Sequence, residues 1–179
     1  GNYDFVVGGI SFAMLDAEAS MGDQDMTKAQ IAWADAALGV ATKRRTEGVT
    51  PWVIATHHRP LYCTNKERDC DKQFAGQMRG FVEALFVKHE LDLDVCGHMH
   101  SYERMYPTID GAVVNNGSYV DPKAPVYIVN GAAGNEESNT LPDGEAVYSA
   151  FQSSAVGYAI FSTEATATTR TINWAFYAS

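Results

Sequence analysis

Apolar and polar positions follow two different rhythms along this chain, and the rhythms predict its elements. Residues 5–15 read FVVGGISFAML, apolar and rich in β-branched side chains apart from Gly8-Gly9. They predict a strand, or a hairpin bent at the glycine pair. Thr27, Lys28, Ala29 and Gln30 have the form of a capping box, a hydroxyl whose partner three residues on is Gln. A helix is expected to follow to about residue 43, with Ile31, Ala34 and Leu38 on its buried side. Its negative end carries Lys43, Arg44 and Arg45. Pro51 precedes a short apolar run at 52–56, read as a buried strand. Residues 77–89 set Met78, Phe81, Val82, Leu85 and Phe86 at helical spacing, and 91–96 form a second buried strand. A third, at 126–129, runs into the turn-rich residues 130–134. Residues 157–162 and 168–176 read as a closing antiparallel pair, with Arg170, Ile172, Trp174 and Phe176 alternating against Thr169, Thr171, Asn173 and Ala175.

Helices alternate with buried strands as far as residue 96, and strands dominate beyond it. That order predicts an α/β sandwich whose sheets are covered by helices. No repeat, linker or low-complexity stretch divides the 179 residues, and residues 115–124 read as a polar surface loop. One domain with its own core is expected.

Composition narrows the function. Apolar content of 46% with 20% charged residues excludes a disordered tail. A formal net charge of −9 disfavours nucleic acid as a partner. It does not disfavour a phosphate ester, because bound multivalent cations invert the local charge. No apolar run approaches the roughly 20 residues that span a bilayer. The chain opens on Gly1, Asn2, Tyr3 and Asp4 and enters a strand at once, and the expectation is that it continues a longer protein upstream. Cys63 and Cys70 enclose a short polar loop. A disulfide is easy at that spacing in an oxidising compartment, and two free thiols are the alternative. Cys96 reads as a small core residue. Asn116-Gly117-Ser118 is a glycosylation sequon and points outside the cell, as the cysteines do.

Four of the five histidines fall in two clusters. His57 and His58 follow the strand at 52–56, and His98 and His100 follow the strand at 91–96. Ligands at the C-terminal ends of buried strands are where α/β sheets place their sites. Gly97 before His98 allows a sharp turn, and His98 and His100 can face one point if their loop stays extended. Imidazole suits iron, zinc and related metals. A lone His is more often a hydrogen-bonded structural residue, whereas two clusters at strand ends favour metal binding. His89, beside Lys88 at a helix end, reads as a partner of the helix dipole.

Residues 97–104, Gly-His-Met-His-Ser-Tyr-Glu-Arg, resemble the GHxHxYER signature of the purple acid phosphatases, within the calcineurin-like metallophosphoesterases. The GHxH core is shared across that superfamily, and the Tyr102-Glu103-Arg104 extension is specific to the purple acid branch. Gln30 with Trp33, the HRPLYC of residues 58–63, Ala124 to Tyr127, the GAAGN of 131–135, the YSAF of 148–151 and Gly157-Tyr158 resemble the same family in order. The resemblance covers nearly the whole chain and identifies it as the C-terminal part, 1–179, of a catalytic domain.

The resemblance implies a four-layer α/β/β/α sandwich and a centre of Fe(III) with a second divalent metal, Fe, Zn or Mn. His58 and His98 would ligate the divalent metal and His100 the ferric ion. His57 would stand behind them, and Glu103 and Arg104 would form a structural pair, a surface ion pair being the plainer alternative. The implied reaction is hydrolysis of a small phosphate monoester by a secreted acid phosphatase, two metals clamping the ester and lowering the pKa of a bound water. The family's GDxG, GDxxY and GNHE segments are absent from the chain, so the segments bearing the carboxylates and the iron-ligating Tyr are expected upstream. The chain alone is expected to be inactive. A structural or adhesion module that kept the fold is the competing reading, and another metallophosphoesterase is a third.

Overall fold

The computed structural model describes residues 1–16, 28–65, 70, 74–136, 139 and 144–179. Its first element is the hairpin anticipated from the glycine pair. Strand β1 (Tyr3–Val7) turns at Gly8 and Gly9 into β2 (Ile10–Met14), with Val7 opposite Ile10. Both glycines have positive φ, +57° and +79°, which a two-residue hairpin turn requires and which other residues resist.

Helix α1 (Lys28–Thr46) leads to β3 (Trp52–His57), and α2 (Phe74–Lys88) leads to β4 (Leu93–Cys96). Thr27, the hydroxyl of the capping box, lies outside the described residues, as do Lys66 and Arg68 of the cysteine loop. β5 (Tyr102–Met105) comes next, then the short β6 (Thr108–Ile109) and β7 (Ala112–Val113), which pair with each other. β8 (Val126–Asn130), β9 (Ser149–Ser153), β10 (Gly157–Ala165) and β11 (Arg170–Ala178) complete the chain.

Seven strands form one mixed sheet in the order β1-β2-β3-β4-β8-β5-β9. The run from β2 to β8 is parallel, while β1, β5 and β9 lie antiparallel to their neighbours. Period-two alternation gives each strand two faces. On β3, Val53 and Ala55 point toward the helices, and Trp52 and Ile54 point away. The helix side buries Ala34, Leu38 and Ala41 of α1 with Met78, Val82 and Phe86 of α2. Full burial of one such Leu or Phe stabilises the fold by about 1.5–3 kcal/mol. The opposite face is covered by the β10–β11 ribbon, whose Phe161, Ile172, Trp174 and Phe176 pack on Ile10, Ile54, Leu93 and Ile128. That is the alternation read from residues 168–176.

The described residues therefore make three layers, helices, seven-stranded sheet and two-stranded ribbon, rather than four. The ribbon's outer face leaves Tyr158, Ile160 and Tyr177 exposed.

The two helices are clamped together by one carboxylate. Asp35 on α1 lies 2.7 Å from Lys88 Nζ and 2.5 Å from His89 Nε2. His89 thus has a side-chain partner across the helix pair, beyond any interaction with its own helix dipole. Among the described residues no helix is long and apolar enough to cross a membrane.

Candidate functional site

The site residues collect where β3 and β4 end side by side. His57 pairs with Cys96 in the parallel register, so His58 and Gly97 begin adjacent loops. Gly97 N–H donates to the His58 carbonyl at 3.1 Å, which ties the two loop starts together.

The loop after β4 is not extended. Met99 N–H bonds the Gly97 carbonyl and Ser101 N–H bonds the Met99 carbonyl, each at 2.8 Å, giving two successive three-residue turns. The first is centred on His98, whose φ is +62°. The sharp bend therefore falls on the histidine itself, and Gly97 has no positive φ. A non-glycine residue held there costs on the order of 1–3 kcal/mol and persists only where its surroundings enforce it. Those surroundings are visible. Met99 and Ser101 are buried, and Gly131 N–H bonds the Ser101 carbonyl at 3.1 Å. A Cβ on Gly131 would overlap the Met99 carbonyl oxygen, so the turn packs directly on the backbone after β8.

This turn brings His98 against His58. Their rings make an edge contact, with centroids 4.9 Å apart and His98 Nδ1 3.1 Å from His58 Nε2. Arg59 approaches the other side of His98, Nη1 to Nε2 at 2.8 Å. A guanidinium has no acceptor, so in that contact His98 Nε2 offers its lone pair. His100 is half-buried at the second turn.

His57 points the other way, into the protein. Its side chain is fully buried, and Nε2 lies 2.8 Å from Oδ1 of Asp94, which is equally buried on β4. Burial works against a charged imidazole, but the charge and close contact of Asp94, with a backbone bond at Arg59, outweigh it and hold His57 above its ordinary value. Sequence reasoning misses Asp94 and Arg59 as site neighbours. The only signal for Asp94 is a carboxylate inside the apolar run LDVC.

Glu103 and Arg104 do not hold each other. As successive strand residues they face opposite sides of the sheet. Glu103 has no exposed surface and accepts from Thr64 N–H at 3.0 Å, Thr64 Oγ1 at 2.8 Å and Ser149 Oγ at 2.6 Å. Arg104 lies over the Tyr119 ring at 5.2 Å. Tyr102, between the site and the ribbon, stacks on Phe176 at 4.2 Å. Cys63 and Cys70 form the disulfide that their spacing allows, and Cys96 is a buried free thiol, as its apolar run implies.

The donor set is imidazole, which suits iron and zinc, but it is partial. Among the described residues no three or more His, Cys, Asp or Glu side chains gather as a cation site.

Residues 124–179 match the family described as iron/zinc purple acid phosphatase-like protein C. Acid phosphatase type 7 of Danio rerio is 35% identical over 149 residues, which cover 75% of this chain and 33% of the relative. Purple acid phosphatase 23 of Arabidopsis thaliana is 35% identical over 135 residues, covering 75% of this chain and 26% of the relative. The chain thus spans about a third or less of these curated relatives. Among solved structures, a purple acid phosphatase from yellow lupin seeds superposes with a TM-score of 0.72 at 21% identity, over 89% of this chain and 28% of that one. GAP50, described as the anchor in the inner membrane complex of Plasmodium, gives a TM-score of 0.61 at 15% identity, over 99% of this chain and 49% of that one. The structural likenesses show a shared fold.

Proposed function

We propose, from the premise that this chain belongs to the purple acid phosphatase family over its C-terminal part, that the complete protein is an acid phosphatase hydrolysing phosphate monoesters. The chain would supply the imidazole share of its metal centre. The observation that carries this reading is the approach of His58 and His98 at the ends of β3 and β4, inside the two segments that resemble the family most specifically.

In this reading His58 and His98 hold a divalent metal and His100 holds the ferric ion, with Fe, Zn or Mn in the divalent position. When bound, such a pair of ions polarises a phosphate ester and makes a water molecule nucleophilic. The chain's own residues do the positioning. The Gly97–His58 backbone bond and the turn packed on Gly131 fix where the imidazoles stand. Asp94 keeps His57 turned inward behind His58, so His57 supports the site without touching substrate. Arg59 sets a guanidinium beside the imidazoles, a planar fork suited to phosphate oxygens.

The carboxylate and tyrosine ligands would come from upstream segments, and this chain alone would be inactive. Those same segments would add the layer that covers Tyr158, Ile160 and Tyr177, completing an α/β/β/α sandwich. The Cys63–Cys70 disulfide supports secretion, since such a bond persists in oxidising compartments.

The second reading is a structural module. It is favoured by the incomplete donor set and by the likeness to a protein described as an anchor. Metal analysis of the full-length protein, with hydrolysis of p-nitrophenyl phosphate on the same sample, separates the two. The phosphatase reading expects about two metals per chain and turnover, with both reduced in His58→Ala and His98→Ala. Absence of stoichiometric metal and of turnover in the folded wild-type protein would establish the structural module instead.

A further inference from the structure

We infer that Asn116 carries an N-linked oligosaccharide, attached at the tip of the turn between β7 and β8. The inference is independent of the phosphatase reading. The sequon Asn116-Gly117-Ser118 is necessary for such a modification but common by chance, so its structural setting decides.

Three features of that setting select Asn116. First, it is exposed, on a short 3-10 turn (Asn115–Gly117), with φ 53° and ψ 29°. Second, the adjacent asparagine is occupied as a brace. Asn115 Nδ2 donates to the carbonyls of Val120 and Asp121, at 3.4 Å each, and closes the loop on itself. Third, the middle residue is held as glycine by the fold. Gly117 has φ +74°, is buried, and a Cβ there would press into the Tyr106 ring. The turn is therefore rigid at Gly117 and open at Asn116. Ser118 completes the sequon and accepts from Val120 N–H at 3.1 Å.

Two further observations agree. The tip beyond the sequon carries an apolar side chain, Val120, that is 81% exposed. A glycan attached beside it would cover that side chain with a hydrated surface. The Cys63–Cys70 disulfide belongs to the same oxidising compartment in which N-glycans are added.

The chemistry is a group transfer from a lipid-diphosphate-linked oligosaccharide. Asn116 Nδ2 attacks the anomeric carbon of the first sugar, forming the C–N bond. The bond from that carbon to the diphosphate oxygen breaks. The lipid diphosphate leaves with the electron pair, and the amide nitrogen loses one proton.

The test is peptide mapping of the full-length protein recovered from the secretory pathway of a eukaryotic host. The wild type is expected to show a glycopeptide spanning Asn116. Amidase removal of the glycan in heavy-oxygen water should leave a labelled Asp there, which spontaneous deamidation before the digest does not. Asn115→Gln and Ser118→Thr should keep the glycan. Asn116→Gln and Ser118→Ala should lose it, and Ser118→Ala serves where Asn116→Gln fails to fold. An unmodified wild-type peptide, or a glycan that survives Ser118→Ala, overturns the inference.

Discussion

Replacing Glu103 should unseat the loop after β3, and the size of the loss can be worked from its contacts. The carboxylate is inaccessible, and it is met by donors: Thr64 N–H, Thr64 Oγ1, Ser149 Oγ, and Gln152 Nε2 at 3.4 Å. These come from segments 39 to 49 residues away, so Glu103 joins the start of the cysteine loop to β9 through β5. Glu103→Ala leaves two buried donors of Thr64 unpaired at about 1–3 kcal/mol each, with a smaller loss at the half-buried Ser149 Oγ, less what is recovered by no longer burying a charge. The net expectation is a loss of about 3–5 kcal/mol in stability. Glu103→Gln keeps one acceptor for the two hydroxyls but turns an NH2 toward Thr64 N–H, and should cost about 2 kcal/mol. Urea unfolding of the two variants and of Thr64→Val measures this. The double variant Glu103→Ala/Thr64→Val should lose clearly less than the sum of its parts, because one partner pair is then removed whole. A loss under about 1 kcal/mol for Glu103→Ala, or strict additivity in the cycle, would refute the argument.

Other outcomes are expected from the same structure. Cys63→Ser/Cys70→Ser should lower stability by about 2.5 kcal/mol, the chain-entropy value for so short a loop, read by thermal melting against the oxidised wild type. Gly131→Ala forces the Met99 carbonyl away and should cost about 1–3 kcal/mol, with chemical-shift changes concentrated at His98 and His100; silent shifts there would contradict the packing. Asp35 has its carboxyl held below its usual value of 3.8 by the Lys88 and His89 bonds. Its contribution is complete above that value and fades as pH falls through the depressed one, so the stability gap to Asp35→Asn should close only in strong acid.

Sequence pattern reaches some parts of the site and not others, for a physical reason. The histidines at the ends of β3 and β4 are legible because apolar runs such as WVIAT and LDVC announce buried parallel strands, and each such strand gives way to a loop. The Gly8-Gly9 hairpin and the alternating β11 are legible because turn chemistry and period-two burial are local. β5 carries no such mark. Its sequence YERM has no apolar run, since Glu103 is satisfied by Thr64 and Ser149 rather than by water. The two-residue strands β6 and β7 have no period to read.

By itself, then, the sequence determined the order of the helices and the buried strands, allowed the loop disulfide, and showed which imidazoles could meet. Tertiary structure alone decided the rest: the positive φ of His98, the Arg59 contact on its far side, the Asp94 behind His57, and Glu103 answering Thr64 instead of Arg104. Each depends on a partner far along the chain, 39 residues away at Arg59 and at Thr64, or on backbone packed from another strand. Local preference holds no information about such partners until the sheet has formed.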